Sequence, residues 1–367
     1  MIHDLGPGGA EKLIVDLARL APEGGIDLSV VSLMPFGDHR YPRVLDSLGI
    51  PVRSLELRSR YDPRGASRLT ATLAGLDPDI VHTHLKHADL LGGQAAADLG
   101  IPQVSSLHVI EDAPGPVARL KRDAGMRTRE RTAARTIAVS DAVRAWYLDT
   151  FANVDPRRVV VIHNGIPAPP EIPEPRIAAA RAEFDVEPHG LLVPLVAIMR
   201  PGKGHEDLLE AVSLMTAESG ITFVFAGSGP EEGRLRQLAA RVGVEDRVRF
   251  AGYRTDVPEI LAASDFVVHP THADALPTAV VQAAAASVPA VATEVGGVPE
   301  VVTPDTGILV PVGDPAALVD GIIAMAADGD RRDWMGKRAK ERFDEMFDGR
   351  VWLRRLRELY DEVVAQG

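Results

Sequence analysis

Short apolar runs alternate with amphipathic stretches along almost the whole chain. The residues Ala10, Leu13, Ile14, Leu17 and Ala18 recur at the spacing of one helix face, which predicts an amphipathic helix near the start. Runs rich in apolar and β-branched residues predict strands at 28–33, 52–57, 80–84, 104–108, 136–139, 159–163, 192–198, 222–226, 248–251, 266–268, 290–292 and 308–310. Because strands and helices alternate, we expect an α/β fold whose parallel sheets are covered by helices on both faces.

A proline-rich segment divides this series of strands and helices in two. Residues 167–175 contain five prolines in nine positions, and proline cannot continue a helix or a central strand. We interpret the segment as a linker or hinge between two Rossmann-like domains of similar size. A ligand is expected in the cleft between the domains, at the carboxyl ends of the strands. The chain is predicted to end in two helices, at 331–346 and 350–364.

The first glycine-rich segment, Gly6 to Glu11, comes after only five residues. A buried first strand usually needs about five or six residues before its turn, so either this strand is short or the true start lies upstream. Glycines between a strand and a helix let the backbone approach a ligand, and free amides at a helix start favour an anion. An ordinary strand–helix turn is the alternative, because the G-x-G-x-x-G dinucleotide pattern is absent.

Composition and charge narrow the class of protein. The chain has 367 residues, no cysteine, and 40 Lys and Arg against 52 Asp and Glu, a net charge of −12. Without cysteine there are no disulfides, thiolate metal sites or cysteine nucleophiles. No apolar run approaches the roughly 20 residues of a membrane span and no signal peptide opens the chain, so we expect a cytoplasmic protein. Residues 171–367 account for the whole net charge of −12, which argues against general DNA or RNA binding.

A second glycine-rich loop carries positive charge. The sequence Arg200-Pro-Gly-Lys-Gly-His205 follows an apolar strand and opens a helix predicted at 206–215. Two cations beside glycines at a helix start suit a diphosphate, since both the helix dipole and the charges attract it. A solvated turn is the alternative. The strand–glycine–helix pattern recurs at Gly227-Ser-Gly-Pro230, where a base or ribose could bind, but this second signal is weak by itself.

Histidines gather at the ends of two predicted strands. His82 and His84 share one strand face, His87 follows, and His108 ends the next strand. No carboxylate stands at a fixed spacing from the first three, so we expect no metal site and interpret them as polar residues facing the ligand cleft. His108 is the stronger candidate for the cleft. Its alternative role is that of a histidine satisfied by backbone groups.

Taken in order, these motifs resemble glycosyltransferase family 4, the retaining enzymes of GT-B fold that use nucleotide sugars. The resemblance runs over nearly all of the chain. It rests on Gly8-Gly-Ala-Glu11, Pro78-Asp-Ile-Val-His-Thr-His84, His108, Ala138-Val-Ser140, Ile162-His-Asn-Gly165, Lys203-Gly-His205, Gly227-Ser-Gly-Pro230, Asp265 and Val295-Gly-Gly-Val-Pro-Glu300. It implies domains at 1–168 and 169–346, with segment 347–367 packing back on the first domain.

The resemblance also implies roles at the matching positions. His108 would approach and help position the donor sugar, Lys203 would hold the departing diphosphate, and Asp274 would contact donor-sugar hydroxyls. Further donor-binding residues would be Arg200, Gly227, Gly229, Arg254, Ala275, Leu276 and Gln282. The acceptor-side loops would contribute Gly8, Gly9, His84 and Asn164. Transfer from a UDP- or GDP-type donor would need no metal or cofactor, and the leaving phosphate would help to deprotonate the acceptor.

Two departures from the family pattern keep other functions open. The family usually has Glu, seven residues and Glu, whereas this chain has Asp274 and Gln282; it often has Arg five residues before the lysine, where this chain has Ile198. Asp is one methylene shorter than Glu, and a neutral acceptor makes a hydrogen bond weaker by roughly 1 kcal/mol than a charged one. The alternatives are a nucleotide-sugar-binding relative that has lost turnover and a GT-B epimerase acting on a nucleotide sugar.

One basic stretch lies in the otherwise neutral first half. Residues 117–135 contain seven bases and two acids, the bases being Arg119, Lys121, Arg122, Arg127, Arg129, Arg131 and Arg135. We expect such a stretch to meet an anionic membrane or a phosphorylated lipid acceptor at the inner membrane face. A solvated helix face is the alternative. The acceptor itself is expected to be a glycan, a lipid-linked sugar or a small molecule.

Overall fold

The computed structural model describes residues 1–6, 8–59, 62–110, 115–216 and 220–366, except for the side chain of Lys121. The chain forms two compact units. The first unit comprises Met1–Pro167 and Gly349–Gly367, and the second comprises Ala168–Asp348. No helix among the described residues is long and apolar enough to span a membrane.

The strands are short and every pairing between them is parallel. They are β1 Val30–Ser32, β2 Val52–Ser54, β3 Val81–His84, β4 Gln103–Leu107, β5 Ala133–Ala138, β6 Val159–Val161, β7 Leu191–Val196, β8 Ile221–Ala226, β9 Val248–Gly252, β10 Val267–His269, β11 Ala290–Thr293 and β12 Gly307–Val310. Each predicted strand is found, with ends displaced by no more than three residues. The α/β class with parallel sheets is thus confirmed.

Helices connect the strands, as parallel pairing requires. They are α1 Gly9–Leu20, α2 Arg40–Ser47, α3 Gly65–Leu76, α4 Lys86–Leu99, α5 Pro116–Thr132, α6 Asp141–Thr150, α7 Glu174–Glu183, α8 His205–Leu214, α9 Glu232–Val242, α10 Val257–Ala262, α11 Thr278–Ala285, α12 Pro315–Ala327, α13 Gly329–Met346 and α14 Gly349–Gln366.

In the first unit the strand order is β1-β2 and β3-β4-β5-β6. Every residue of β4 is buried, including the polar Gln103, Ser105 and Ser106, as expected for a strand covered on both faces. The N-terminal segment makes an isolated parallel bridge between Ile2 and Ser32 of β1, and its Met1 carbonyl accepts a hydrogen bond from the His84 amide of β3. The predicted first strand is therefore very short.

The last helix, α14, belongs to the first unit. Its buried residues Trp352, Leu356, Tyr360 and Val363 recur at helical spacing and join one apolar cluster with Leu17 of α1. Burial of this stripe fixes the end of the chain against the first sheet.

In the second unit the strand orders are β7-β8-β9 and β10-β11-β12. Its main core joins both sheets, and Phe223, Phe225 and Phe266 are fully buried there. The end of the proline-rich segment differs from the prediction, because a helix begins within it. Pro173 is the N-cap of α7 and a proline occupies its first turn, where the missing amide would have no intrahelical partner anyway.

Candidate active site

Two histidines of the first unit meet at the carboxyl ends of neighbouring strands. His84 is the last residue of β3, and His108 follows β4 directly. Nδ1 of His84 lies 2.9 Å from Nε2 of His108, within hydrogen-bond distance, and the rings stack with centroids 5.1 Å apart. Leu85, next to His84, has φ 71° and ψ 153°, a conformation that L residues rarely adopt. Parallel pairing thus brings together two residues that the sequence separates.

His82 is fully engaged by hydrogen bonds. Its Nδ1 lies 2.5 Å from the Tyr360 hydroxyl on α14, and its Nε2 lies 2.8 Å from the Ser106 hydroxyl. Its ring lies 4.2 Å from that of His84. Because both nitrogens have partners, His82 is better explained as a support for His84 than as a metal ligand.

Burial keeps these histidines neutral. It lowers the pKa of His82 and His84 well below the usual histidine value, and it lowers the pKa of His108 to about 4. Asp89 opposes the shift at His108 without cancelling it. At neutral pH, His108 can therefore donate or accept a hydrogen bond without carrying charge.

A carboxylate of the protein itself, that of Glu11, lies at the start of α1. Gly8 is the N-cap of α1, and a Cβ at Gly8 would collide with the Glu11 carboxylate. Burial raises the pKa of Glu11, while a hydrogen bond from its own backbone amide acts in the opposite direction. Glu11 thus satisfies the helix start that we expected to hold a ligand anion. Gly9 begins the helix, Asn164 is half-buried in the loop after β6, and Pro7 lies outside the described residues.

A cavity of about 170 Å³ lies beside His108 in the first unit. Its wall includes Lys86, Arg122 and Arg129 together with Trp146 and Phe151. None of the described lining residues is an aspartate or a glutamate. The cavity therefore offers cationic and aromatic groups and no carboxylate of its own.

The predicted basic stretch is not a single surface. Arg129 is buried and bonded to Asp89 at 2.5 Å, and Arg122 stacks over the Phe151 ring at 5.1 Å. Arg135 lies on β5, not on α5, and pairs with Glu362 of α14 at 2.5 Å. Burial and pairing therefore remove Arg129 and Arg135 from any exposed basic face of this stretch. The side chain of Lys121 lies outside the described residues.

The second unit holds an ion pair at the positive glycine loop. Nζ of Lys203 donates to Oδ2 of Asp274 at 2.7 Å, and Nε2 of His269 lies 3.4 Å from the same oxygen. The side chains of Lys203 and Asp274 are only 14% and 17% exposed. Burial alone would raise the pKa of Asp274, but His269 and the Lys203 ammonium outweigh it and lower the pKa to about 2. Asp274 is thus ionised at neutral pH.

Close backbone approaches explain several glycines of this unit. Gly204 has φ +73°, and a Cβ there would strike the carbonyl of Pro270. A Cβ at Gly227 or Gly229 would strike the carbonyl of Ala197 or Met199, respectively. Gly227 and Gly229 thus have a packing reason to be glycine whether or not they line a ligand site.

The remaining predicted donor residues differ in their surroundings. Arg200 is exposed, and its guanidinium has no hydrogen bond or ion pair to any residue that the structure describes. Arg254 forms ion pairs with Glu183 and Asp256 at 2.5 and 2.6 Å, so that its positive charge is balanced within the protein. Ala275 and Leu276 are buried, and Gln282 is half-buried on α11.

Pro277, three residues after Asp274, is the N-cap of α11. The contact of His269 with Asp274 was not predicted, although a histidine ending an apolar strand is the same signal that identified His108.

A second cavity of about 170 Å³ lies beside this loop and includes Arg200, Gly202 and His205 in its wall. His205 is 3% exposed, and neither ring nitrogen has a hydrogen-bond partner among the residues described. Burial, with smaller contributions from the nearby His269 and Lys203, lowers the pKa of His205 to about 4. A neutral imidazole therefore lies next to the positive loop.

Comparison with known proteins gives a consistent result for both halves of the chain. Residues 7–168 match the model of Glycosyltransferase Family 4, and residues 179–342 match that of Glycosyl transferases group 1. The D-inositol 3-phosphate glycosyltransferase of Streptomyces scabiei is 30% identical over 84% of this chain and 76% of that protein. The N-acetyl-alpha-D-glucosaminyl L-malate synthase of Bacillus anthracis is 29% identical, over about half of each chain.

Solved structures share the fold. HepE of Anabaena in complex with UDP has a TM-score of 0.87, with 22% identity over 98% of this chain and 99% of that chain. WaaG, a glycosyltransferase involved in lipopolysaccharide biosynthesis, has a TM-score of 0.75 with 17% identity. The matched models, the relative at 30% identity and the shared fold confirm the resemblance read from the motifs: the chain belongs to the family 4 glycosyltransferases and has their GT-B fold of two Rossmann-like units.

Proposed function

We propose that this glycosyltransferase moves a sugar from a uridine diphosphate sugar to an acceptor with retention of anomeric configuration and without a metal. The observation that carries the donor class is the position of Lys203, an ammonium group held on a glycine loop that opens α8. Such a group suits the diphosphate of a nucleotide sugar, since it would neutralise the leaving group. HepE, which shares this fold, has been solved with UDP and with UDP-glucose, which favours uridine over guanosine.

The donor is tested by incubating the purified protein with a panel of UDP- and GDP-sugars and following nucleotide release. We expect turnover with at least one UDP-sugar, unchanged by EDTA, and an α-linked product from an α-linked donor by NMR. Tight donor binding without turnover would instead support a binding relative that has lost activity. Conversion of the donor to an isomeric nucleotide sugar would support the epimerase.

For the acceptor, we propose a molecule with an acidic group that binds in the cavity beside His108. Lys86, Arg122 and Arg129 line that cavity, whereas the acids Asp89 and Asp123 that pair with the two arginines are not part of its wall. An anion would therefore meet the cations first. The names of two relatives, a D-inositol 3-phosphate glycosyltransferase and an L-malate synthase, each include an acidic compound. Inositol phosphate and malate, compared with inositol and other neutral polyols as acceptors, test this class.

A lipid-linked acceptor is the second candidate, and one surface favours it. Val117, Leu120, Arg127 and Arg131 are exposed at helical spacing along α5, so that one stripe is apolar at its start and basic at its end. An interfacial helix has this character. Sedimentation with anionic and zwitterionic vesicles tests it: binding to the anionic vesicles that falls with salt supports a membrane contact, and binding to neither excludes it.

A further inference from the structure

Lys203 and Asp274 come from distant parts of the second unit and form one buried ion pair. Lys203 lies on the loop before α8, and Asp274 lies on the loop between β10 and α11. The buried ring of His269 lies on the other side of the carboxylate, with Nε2 at 3.4 Å from the same oxygen and no hydrogen bond between them. The Asp274 backbone is also fixed, because its carbonyl accepts a hydrogen bond from the Gly297 amide at 3.0 Å. The acid is therefore the fixed member of the pair and the long lysine side chain is the adaptable one.

We propose that Asp274 is a positioning residue that acts on the donor through Lys203: its carboxylate holds the ammonium group in place and competes with the diphosphate for it. This inference rests on the proposed nucleotide-sugar donor. It gives Asp274 a role different from the direct sugar contact that the family resemblance implies. Its consequence is that the wild-type protein binds a nucleoside diphosphate more weakly than a protein with a neutral residue at 274.

Charge supports this competition. Asp274 is ionised at neutral pH, since its pKa is about 2, so its charge cancels that of Lys203 in the absence of a ligand. A diphosphate that approaches Lys203 must therefore come within a few ångströms of a carboxylate of the same sign. In a site that is only 14–17% exposed, water screens this repulsion poorly. The repulsion favours release of the nucleotide after transfer.

The restricted conformation of the Lys203 side chain supports the proposal that Asp274 positions it. A free lysine side chain samples many rotamers, and fixing it on a ligand costs conformational entropy. The 2.7 Å hydrogen bond to Asp274 restricts Lys203 before the donor arrives. Removal of the acid should therefore raise affinity for the diphosphate but leave the ammonium less well placed for the departing group, so turnover should fall.

The competing role makes a different prediction. If Asp274 only contacted sugar hydroxyls, Asp274→Asn would weaken binding of UDP-sugar and leave binding of UDP, which has no sugar to contact, unchanged. If Asp274 acts through Lys203, the same variant changes binding of UDP itself. UDP and inorganic diphosphate are therefore the informative probes.

The experiment is isothermal titration calorimetry of UDP and inorganic diphosphate with the full chain, in wild type, Asp274→Asn, Lys203→Met and the double variant. We expect Asp274→Asn to bind UDP at least about five-fold more tightly than wild type, with a lower kcat. We expect the double variant to bind no more tightly than Lys203→Met, because the competition needs the lysine. Glu259→Gln is the matched control: Glu259 on α10 is 17% exposed and pairs with Arg176 at 3.5 Å in the same unit, and its loss should leave UDP affinity within about two-fold.

The outcomes separate the inference from the function on which it rests. UDP affinity of Asp274→Asn equal to or below that of wild type overturns the inference, and so does equal tightening by Glu259→Gln. Absence of any nucleoside diphosphate binding by the wild type overturns the proposed function and this inference with it. If Asp274→Asn does not fold, Asp274→Glu provides the second test: a carboxylate retained beside Lys203 should keep UDP affinity near that of wild type.

Discussion

Nδ1 of His84 lies 2.9 Å from Nε2 of His108, so that one hydrogen bond joins the ends of β3 and β4. Two neutral imidazoles can share a hydrogen bond only if one donates and the other accepts. The proton on the remaining nitrogen of His108 is therefore determined by His84. The ring of His82 lies 4.2 Å from that of His84, and its hydrogen bond to Tyr360 connects it to α14.

The first prediction concerns His108. His108→Ala should lower kcat more than about ten-fold, because the hydrogen-bonding group that the family resemblance places beside the donor sugar is lost. His84→Ala should lower kcat by a smaller factor, since His108 would remain but lose its fixed tautomer. Initial rates with a saturating donor measure both. A His84→Ala effect larger than that of His108→Ala would contradict the assigned order of the two residues.

The second prediction concerns Lys203. Lys203→Ala should lower turnover more than about ten-fold, because in the proposed function the leaving diphosphate loses the ammonium group that neutralises it. Lys203→Arg keeps the charge but not the geometry of the contact with Asp274, so we expect partial activity. The measurement is steady-state nucleotide release, with circular dichroism to establish folding. Wild-type rates in the alanine variant would remove Lys203 from the site.

The third prediction is that the free energy of unfolding decreases as the pH is lowered. Burial lowers the pKa of His84, His108 and His205, with His108 and His205 near 4, whereas an unfolded histidine titrates near 6.5. Between about pH 6.5 and 4 the unfolded state therefore binds more protons than the folded state, so the free energy of unfolding decreases as pH falls. Asp274 adds to this only below about pH 4, where its lowered pKa matters.

Urea unfolding at pH 7.5, 6.0 and 5.0 measures this effect. His205→Asn should flatten the decline, because it removes one of the buried titrating groups. A free energy of unfolding that stays constant over this range would show that the histidines are hydrated in solution.

The fourth prediction uses two glycines of the same loop. Both Gly202 and Gly204 have positive φ, 80° and 73°. Alanine at Gly202 meets no atom within 4 Å and should cost only the conformational strain, about 1 kcal/mol. Alanine at Gly204 would also strike the Pro270 carbonyl and should cost clearly more, with loss of UDP binding. Equal melting temperatures for the two variants would contradict the close approach.

The fifth prediction concerns the buried pair of Arg129 and Asp89. Thr83 and Ser105 also donate to Asp89, at 2.6 and 2.7 Å. Arg129→Met should lower the free energy of unfolding by about 3–5 kcal/mol, because a buried carboxylate is left without its cation. Arg129→Met combined with Asp89→Leu should recover part of that loss. If the double variant is less stable than the single one, the hydrogen bonds to Asp89 outweigh the ion pair.

Local sequence determined the fold class and the positions of the candidate residues along the chain. Strands such as β7 and β8 can be predicted because they are apolar runs buried on both faces, whereas β3 and β4 also carry polar side chains. The glycine loop of Lys203 and the strand-end position of His108 were read from the same pattern. The linker interpretation does not predict that Pro173 and Pro175 stand at the start of α7, where a proline needs no amide partner.

Only the tertiary structure decided which of those residues have partners. It joined Lys203 to Asp274 and His84 to His108, and it withdrew Arg129 from the basic surface by burying it against Asp89. It also placed Glu11 at the helix start expected to hold a ligand anion. Charge counted along a sequence says what each residue carries. Which charges remain available depends on burial and on contacts between residues far apart in the chain, and these arise only when the sheets and helices pack.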